Sequence, residues 1–278
     1  MGRLFGYMSN RADRLQDVLH QERQVIAPPE ALRPAGWGVG FYQGGEVLHK
    51  KRPLLEGDKL DWDEMAADVR SDCVIVHLRQ ATVGDFRTEN THPFRMRSWL
   101  FAHNGTIDRF SNVQPRLLEQ TPDFLRRNIR GATDSEHLFH TILAFLHDAG
   151  QLDNPEVEAR PVIAALRSAI TLVDQLSTEV GAAQATLNML LTNGRRMIAV
   201  RRGSPMAFVE RQGIHDPIDE GNRASQLGRL GRSEQSGMGL RYVLIQSDGP
   251  EHAAGFREIP EGSVCVVDRD LRVTVQSL

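Results

Sequence analysis

The sequence predicts an α+β fold, with two mainly antiparallel sheets packed together and helices outside. Strand-like runs fill both ends of the chain around one helical block, without the regular β-α alternation of a doubly wound parallel sheet. Two glycine dipeptide signals, Gly44-Gly45 and Asn193-Gly194, each separate strand-like runs closely enough to be hairpin turns. In order, residues 3–8 read as a strand, and Leu15, Val18 and Leu19 recur at helical spacing between Asp13 and Val25. The Gly36-Trp37-Gly38 turn enters a strand through Tyr42, and Gly44-Gly45 folds it back into Val47-Leu48. Cys73 to His77 is continuously apolar, as in a strand covered on both faces, and Ser98 to Ala102 forms the next. Asn104-Gly105 then reads as the turn that ends it.

Thr133 or Asp134 caps the first of two helices, whose inner stripe is Leu138, Ile142, Leu143 and Leu146. Pro161 falls early in the second, with Ile163, Leu166, Ile170, Val173, Leu176 and Val180 as its stripe. Strands return at 185–192, 197–201, 206–210, 240–246, 263–267 and 272–275. Residues 219–239, rich in Gly, Ser, Arg and Gln, read as an exposed flexible loop within one domain spanning 1–278.

A chain of 278 residues that is 40% hydrophobic and 25% charged has the balance of an ordinary globular protein with a full core. A net charge of −3 gives no reason to expect nucleic acid or an anionic membrane as partner. No apolar run reaches the length of a membrane span, and the N-terminus lacks the order of a signal peptide. Gly6 stands where a myristoylation signal wants Ser or Thr. The expectation is a cytoplasmic protein with Cys73 and Cys265 reduced and buried. No His, Cys and carboxylate grouping has metal-site spacing and no phosphate-binding glycine loop is present, so no cofactor is expected.

The chemistry concentrates between His77 and Ile107. Two strand ends bring Arg79, Thr82, His92, Asn104 and Gly105 toward one place. An arginine fork suits a carboxylate, and an Asn amide beside a Gly backbone N–H suits an oxyanion. Each residue also has a bland reading. Arg79 suits a surface acid, Asp134 an N-cap and Trp37 the core; His92 before Pro93 shapes a turn. Co-occurrence favours the functional reading, because one ligand geometry explains them all.

Six blocks occur in one order: residues 1–7, Gly36-Trp37-Gly38, 77–84, 89–94, His103-Asn104-Gly105 and Thr133-Asp134-Ser135-Glu136. Together they resemble the class II glutamine amidotransferases of the N-terminal-nucleophile hydrolases, small stand-alone members in particular. The resemblance covers most of the chain and weakens after about residue 200. It implies a four-layer αββα sandwich. It also implies that Arg79, with Thr82, His92 and Trp37 nearby, holds the α-carboxylate of glutamine or a γ-glutamyl compound. By the same resemblance Asp134 holds the α-ammonium, and Asn104 and Gly105 form the oxyanion hole. The chain is as long as such a glutaminase domain alone, so an active form would hydrolyse its substrate or pass ammonia to a separate protein partner.

The departure from the family is Gly2. Active members carry cysteine there, exposed when Met1 is removed; its thiolate attacks the amide and its α-amine shuttles the proton. Glycine has no such atom, and Cys73 and Cys265 sit in apolar strands. Ala35 also stands where active relatives commonly have Asp before the Gly-Trp-Gly turn. Turnover as written is therefore expected to be negligible. Two explanations fit. The chain is an altered form of an enzyme with cysteine at position 2, or it is a natural pseudoenzyme that senses a ligand or serves as an interaction subunit. A third reading makes the site residues relics and the 219–239 loop the working surface.

Overall fold

The computed structural model describes residues 2–26, 34–54, 58, 60–80, 88–213, 239–248 and 255–278. The chain begins with β1 (Arg3–Ser9) and α1 (Leu15–Ile26), then the hairpin of β2 (Gly36–Gln43) and β3 (Glu46–Pro53). A short α2 (Trp62–Ala66), β4 (Cys73–Arg79), β5 (Phe94–Met96) and β6 (Trp99–Thr106) follow. The helical block holds α3 (Phe110–Glu119), α4 (Asp123–Arg126), α5 (Asp134–Asp148) and α6 (Ala159–Glu179). Strands then resume as β7 (Thr186–Thr192), β8 (Met197–Arg201), β9 (Met206–Gln212) and β10 (Arg241–Ser247). The last three are β11 (Arg257–Glu258), β12 (Ser263–Val267) and β13 (Val273–Ser277).

Seven strands form one sheet in the order β11-β9-β10-β1-β4-β2-β3, and six form the other, β13-β12-β8-β7-β6-β5. Every described pairing is antiparallel. The inner faces meet through Leu4, Met8, Ile75, Leu100, Ala102, Leu190 and Ile245. Phe5, Tyr7, Val74 and Val76 cover the seven-stranded sheet's other face beneath Leu15 and Leu19 of α1. Phe101, Leu187 and Leu191 do the same for the six-stranded sheet beneath α5 and α6. The result is the expected four-layer αββα sandwich, held by one interior and two helix-covered apolar clusters.

Strand parity places the site. Side chains alternate faces along a strand. Since Cys73 and Ile75 point between the sheets, His77 and Arg79 point the same way at the end of β4. Leu100 and Ala102 likewise direct Asn104 inward from β6, while His103 turns toward Ser135 of α5. The N-cap of α5 is Thr133, whose hydroxyl accepts from the Glu136 N–H.

Several expectations are corrected. Asn104-Gly105 makes no turn: β6 continues to Thr106, with Asn104 opposite Asn188 and Gly105 opposite Leu187. Glycine is needed there because a neighbouring backbone approaches, a requirement that the dipeptide alone does not separate from a turn. Helix α3 went unread because Pro115 lies inside it and Arg109, at its N-cap, is left-handed and supplies no side-chain cap. Thr82 and residues 219–238 of the anticipated loop lie outside the described residues. Both cysteines are free and buried, and burial pushes each thiol up to about 12, away from nucleophilic use. Among the described residues, no helix is long and apolar enough to cross a membrane.

Candidate active-site cleft

Between the open ends of β1, β4 and β6 and the N-terminus of α5 lies a small cleft. Gly2, Arg79, His92, Asn104, Gly105 and Asp134 all line it, as do His77, Gln80, Asn90, His103, Thr133 and Ser135. The guanidinium, the carboxylate and the Asn-Gly pair expected from sequence are thus brought to one place.

Trp37 is not. On β2, Gly36 and Gly38 share the face of Arg79 and His77, their register partners, so Trp37 points the other way. It packs at 3% exposure in the cluster beneath α1. The glycines are what the cleft side requires: a Cβ on Gly38 would lie 1.9 Å from the His92 carbonyl oxygen. The bland reading of Trp37 as core therefore stands, and it is removed from the substrate-binding set.

Asp134 occupies the first position of α5, where the helix dipole favours a carboxylate. Its Oδ2 accepts from the Ile107 N–H at 2.8 Å and its Oδ1 from the Ser135 N–H at 2.8 Å. The loop before α5 is tied by side chains. Asn90 Oδ1 accepts from the Ala132 N–H, and the Glu136 carboxylate accepts from Arg130 and Gly131.

Three imidazoles surround the cleft and all are neutral at pH 7. Burial lowers His77 to about 3, with His103 and Arg79 adding to the shift. Burial pushes His92 well below its usual value, and it sits 4.2 Å from His77 and 4.7 Å from Phe94 between ring centroids. Burial also lowers His103, although Asp134 and the Thr186 carbonyl pull the other way. Neutral His103 donates from Nε2 to the Thr186 carbonyl at 3.1 Å and accepts at Nδ1 from the Ser135 hydroxyl at 2.9 Å. His103 thus ties the start of α5 to β7. Among the described residues His92 has no partner for either ring nitrogen, nor has His77 for Nδ1.

Position 2 is buried and glycine-specific. A Cβ there would lie 2.3 Å from the Leu78 carbonyl oxygen and 3.1 Å from His77 Nε2. The Gly2 carbonyl instead accepts from Asn104 Nδ2 at 2.6 Å. That same amide nitrogen is 2.6 Å from Asp248 Oδ2 and 3.3 Å from Ser247 Oγ. Since the Gly2 oxygen and the Asp248 carboxylate only accept, the group facing them must be the NH₂.

Sequence reasoning passed over His77, which lines the cleft, and Asp248, which hydrogen-bonds to Asn104. The first was legible, since it shares strand parity with Arg79. The second was not, because only the long-range β1–β10 register, Phe5 opposite Gln246, brings residue 248 to the start of the chain.

Comparisons with known proteins identify the family. A profile of the family described as Glutamine amidotransferases class-II matches residues 19–276. The gamma-glutamyl-hercynylcysteine sulfoxide hydrolase of Mycobacterium tuberculosis is 31% identical over 205 residues, 67% of this chain and 73% of that protein. The probable glutamine amidotransferase DUG3 of Saccharomyces cerevisiae is 33% identical over 121 residues, 41% of this chain. The match spans only 34% of that yeast protein's length. Among solved structures, a glutamine aminotransferase class-II domain protein from Silicibacter pomeroyi superposes with a TM-score of 0.62 at 19% identity. That superposition covers 99% of this chain and 98% of the other, and it supports the fold. With the profile spanning most of its length, the chain belongs to the class II glutamine amidotransferases.

Proposed function

We propose that this single-domain chain binds L-glutamine or a γ-glutamyl compound and leaves the amide bond intact. The observation that carries the reading is the convergence of Arg79, Asp134 and Asn104 on a cleft whose position 2 has no side chain. Arg79 takes the α-carboxylate through a planar fork, and Asp134 takes the α-ammonium. The two charges of an amino-acid head group thereby meet opposite charges in a buried site, where their interaction is only weakly screened. The side-chain amide extends toward Asn104 and Gly105, and no thiol waits there. Relatives named as hydrolases or amidotransferases support the ligand class.

Of the two explanations for Gly2, the contact with Leu78 favours a chain settled on glycine. β4 is paired on both edges, by β1 and β2, so the Leu78 carbonyl cannot retreat cheaply. A side chain at position 2 must therefore push the first residues outward and break the Gly2–Asn104 hydrogen bond. Gly2→Cys is expected to lose about 1–3 kcal/mol of stability, as overpacking does, and to release no ammonia above background. Calorimetry with L-glutamine is the direct test of the parent chain. Saturable binding without ammonia release is expected, and Arg79→Lys should weaken it at least tenfold through loss of the bidentate fork. Ammonia release by either protein overturns the non-catalytic reading; absence of binding overturns the ligand.

A further inference from the structure

In the cleft, the Asn104 amide has two hydrogens and two short acceptors, the Gly2 carbonyl and the Asp248 carboxylate. Both hydrogens are spent inside the protein. Asp248 is held firmly in that position. It adopts φ +52°, its N–H donates to the Pro205 carbonyl at 2.9 Å, and its own carbonyl accepts from Arg3 at 2.7 Å. The neighbouring Ser247 hydroxyl accepts from the Leu4 N–H at 2.9 Å, fastening β10 to the start of β1. A fixed carboxylate is thus one hydrogen bond away from the group that a ligand's far end approaches.

We infer that Asp248 is a specificity-determining residue of the cleft, selecting a neutral γ-amide over a γ-carboxylate; this rests on the proposed binding of glutamine. The physical basis is charge and valence together. A γ-carboxylate arriving beside Asn104 finds no amide hydrogen to accept and meets a like charge within the distance of one side-chain amide. Like charges so close in a poorly solvated site repel strongly. A primary amide carries no net charge and meets no such repulsion, so Asp248 acts on the ligand's far end through Asn104 without touching it. L-Glutamine and L-glutamate share the head group that Arg79 and Asp134 would hold, so the discrimination lies wholly at this end of the cleft.

The test is calorimetry of the intact chain with L-glutamine and, separately, L-glutamate at pH 7.5. L-Glutamine should bind at least tenfold tighter. Asp248→Asn removes the charge and keeps the shape, and it should tighten L-glutamate at least fivefold while moving L-glutamine less than threefold. Asp248→Glu retains the charge and should retain the preference. A merely structural role weakens both ligands together in Asp248→Asn, and that result overturns the assignment. Equal affinities in the parent chain overturn it as well while leaving glutamine binding intact. Failure of both ligands to bind removes the proposed function and this inference with it, so the two failures are distinguishable.

Discussion

Lowering the pH from 7.5 to 5 is expected to remove about 2 kcal/mol of folding stability at His77 alone, with His92 and His103 adding to the loss in the same direction. His77, His92 and His103 are neutral and buried in the native state because desolvation holds their pKa values below 6.5. In the unfolded chain the same rings titrate near 6.5. Below that pH the unfolded state binds more protons than the folded one, so stability falls as pH falls. The loss starts near 6.5 and continues until the folded rings protonate, near about 3 for His77. Above 6.5 the contribution is fully present. No group facing the cluster reverses this sign. Arg79 and Lys51 add positive charge beside His92, and although Asp134 and the Thr186 carbonyl favour a charged His103, burial outweighs them. Asp13, held low mainly by its hydrogen bond from Arg11, acts in the more acidic carboxylate range, whereas His49, His137 and His140, each lowered mainly by burial, add to the loss in the same direction. Since a domain commonly has about 5–15 kcal/mol in hand, losses of this kind are a substantial share of its stability and bring cooperative acid unfolding closer. Urea unfolding at half-unit pH steps measures the slope. His92→Phe fills a similar volume between His77 and Phe94, and it should flatten that slope. Unchanged stability between pH 7.5 and 5 would show that these rings are already charged or hydrated.

The same buried histidines mark the boundary of what the sequence disclosed. The layers were legible because apolar periodicity, the Gly44-Gly45 hairpin and the Thr133 cap are local signals, and all three appear in the fold. The convergence of Arg79, Asn104 and Asp134 was legible from motif order, which local physics alone did not supply. Trp37 was assigned to the cleft by family resemblance, although parity alone sends it to the opposite face. Asp248 and the Gly2–Asn104 hydrogen bond could not be read, because they arise where β1, β6 and β10 meet across two sheets. Nothing local in the chain states that meeting.

Gly105→Ala is expected to be among the most damaging single changes in the protein. The Cβ it adds would lie 1.9 Å from the Thr186 carbonyl oxygen, 2.6 Å from its carbon and 2.5 Å from His103 Nε2. None of these atoms sits at the tip of a flexible side chain. The Thr186 carbonyl belongs to β7, and His103 is pinned between that carbonyl and Ser135. Relief requires β6 and β7 to part at residues 104–106, which breaks the Thr106 N–H bond to Thr186 Oγ1 and the His103 contact together. A buried His103 Nε2 left without its acceptor then carries a further desolvation penalty. The expected loss is about 4 kcal/mol or more, the range reserved for overpacking combined with a broken buried network. Glutamine binding should vanish even in the folded fraction, since Asn104 and Asp134 are positioned by the two groups displaced. Gly45→Ala is the control: its φ is +82° and its Cβ meets open space, so it should cost only about 1 kcal/mol. Urea unfolding of both variants, with L-glutamine titrated into each, separates strain at a turn from collision in the cleft. Equal stability of the two would mean that β6 and β7 are further apart than drawn and that residue 105 has no structural need of glycine.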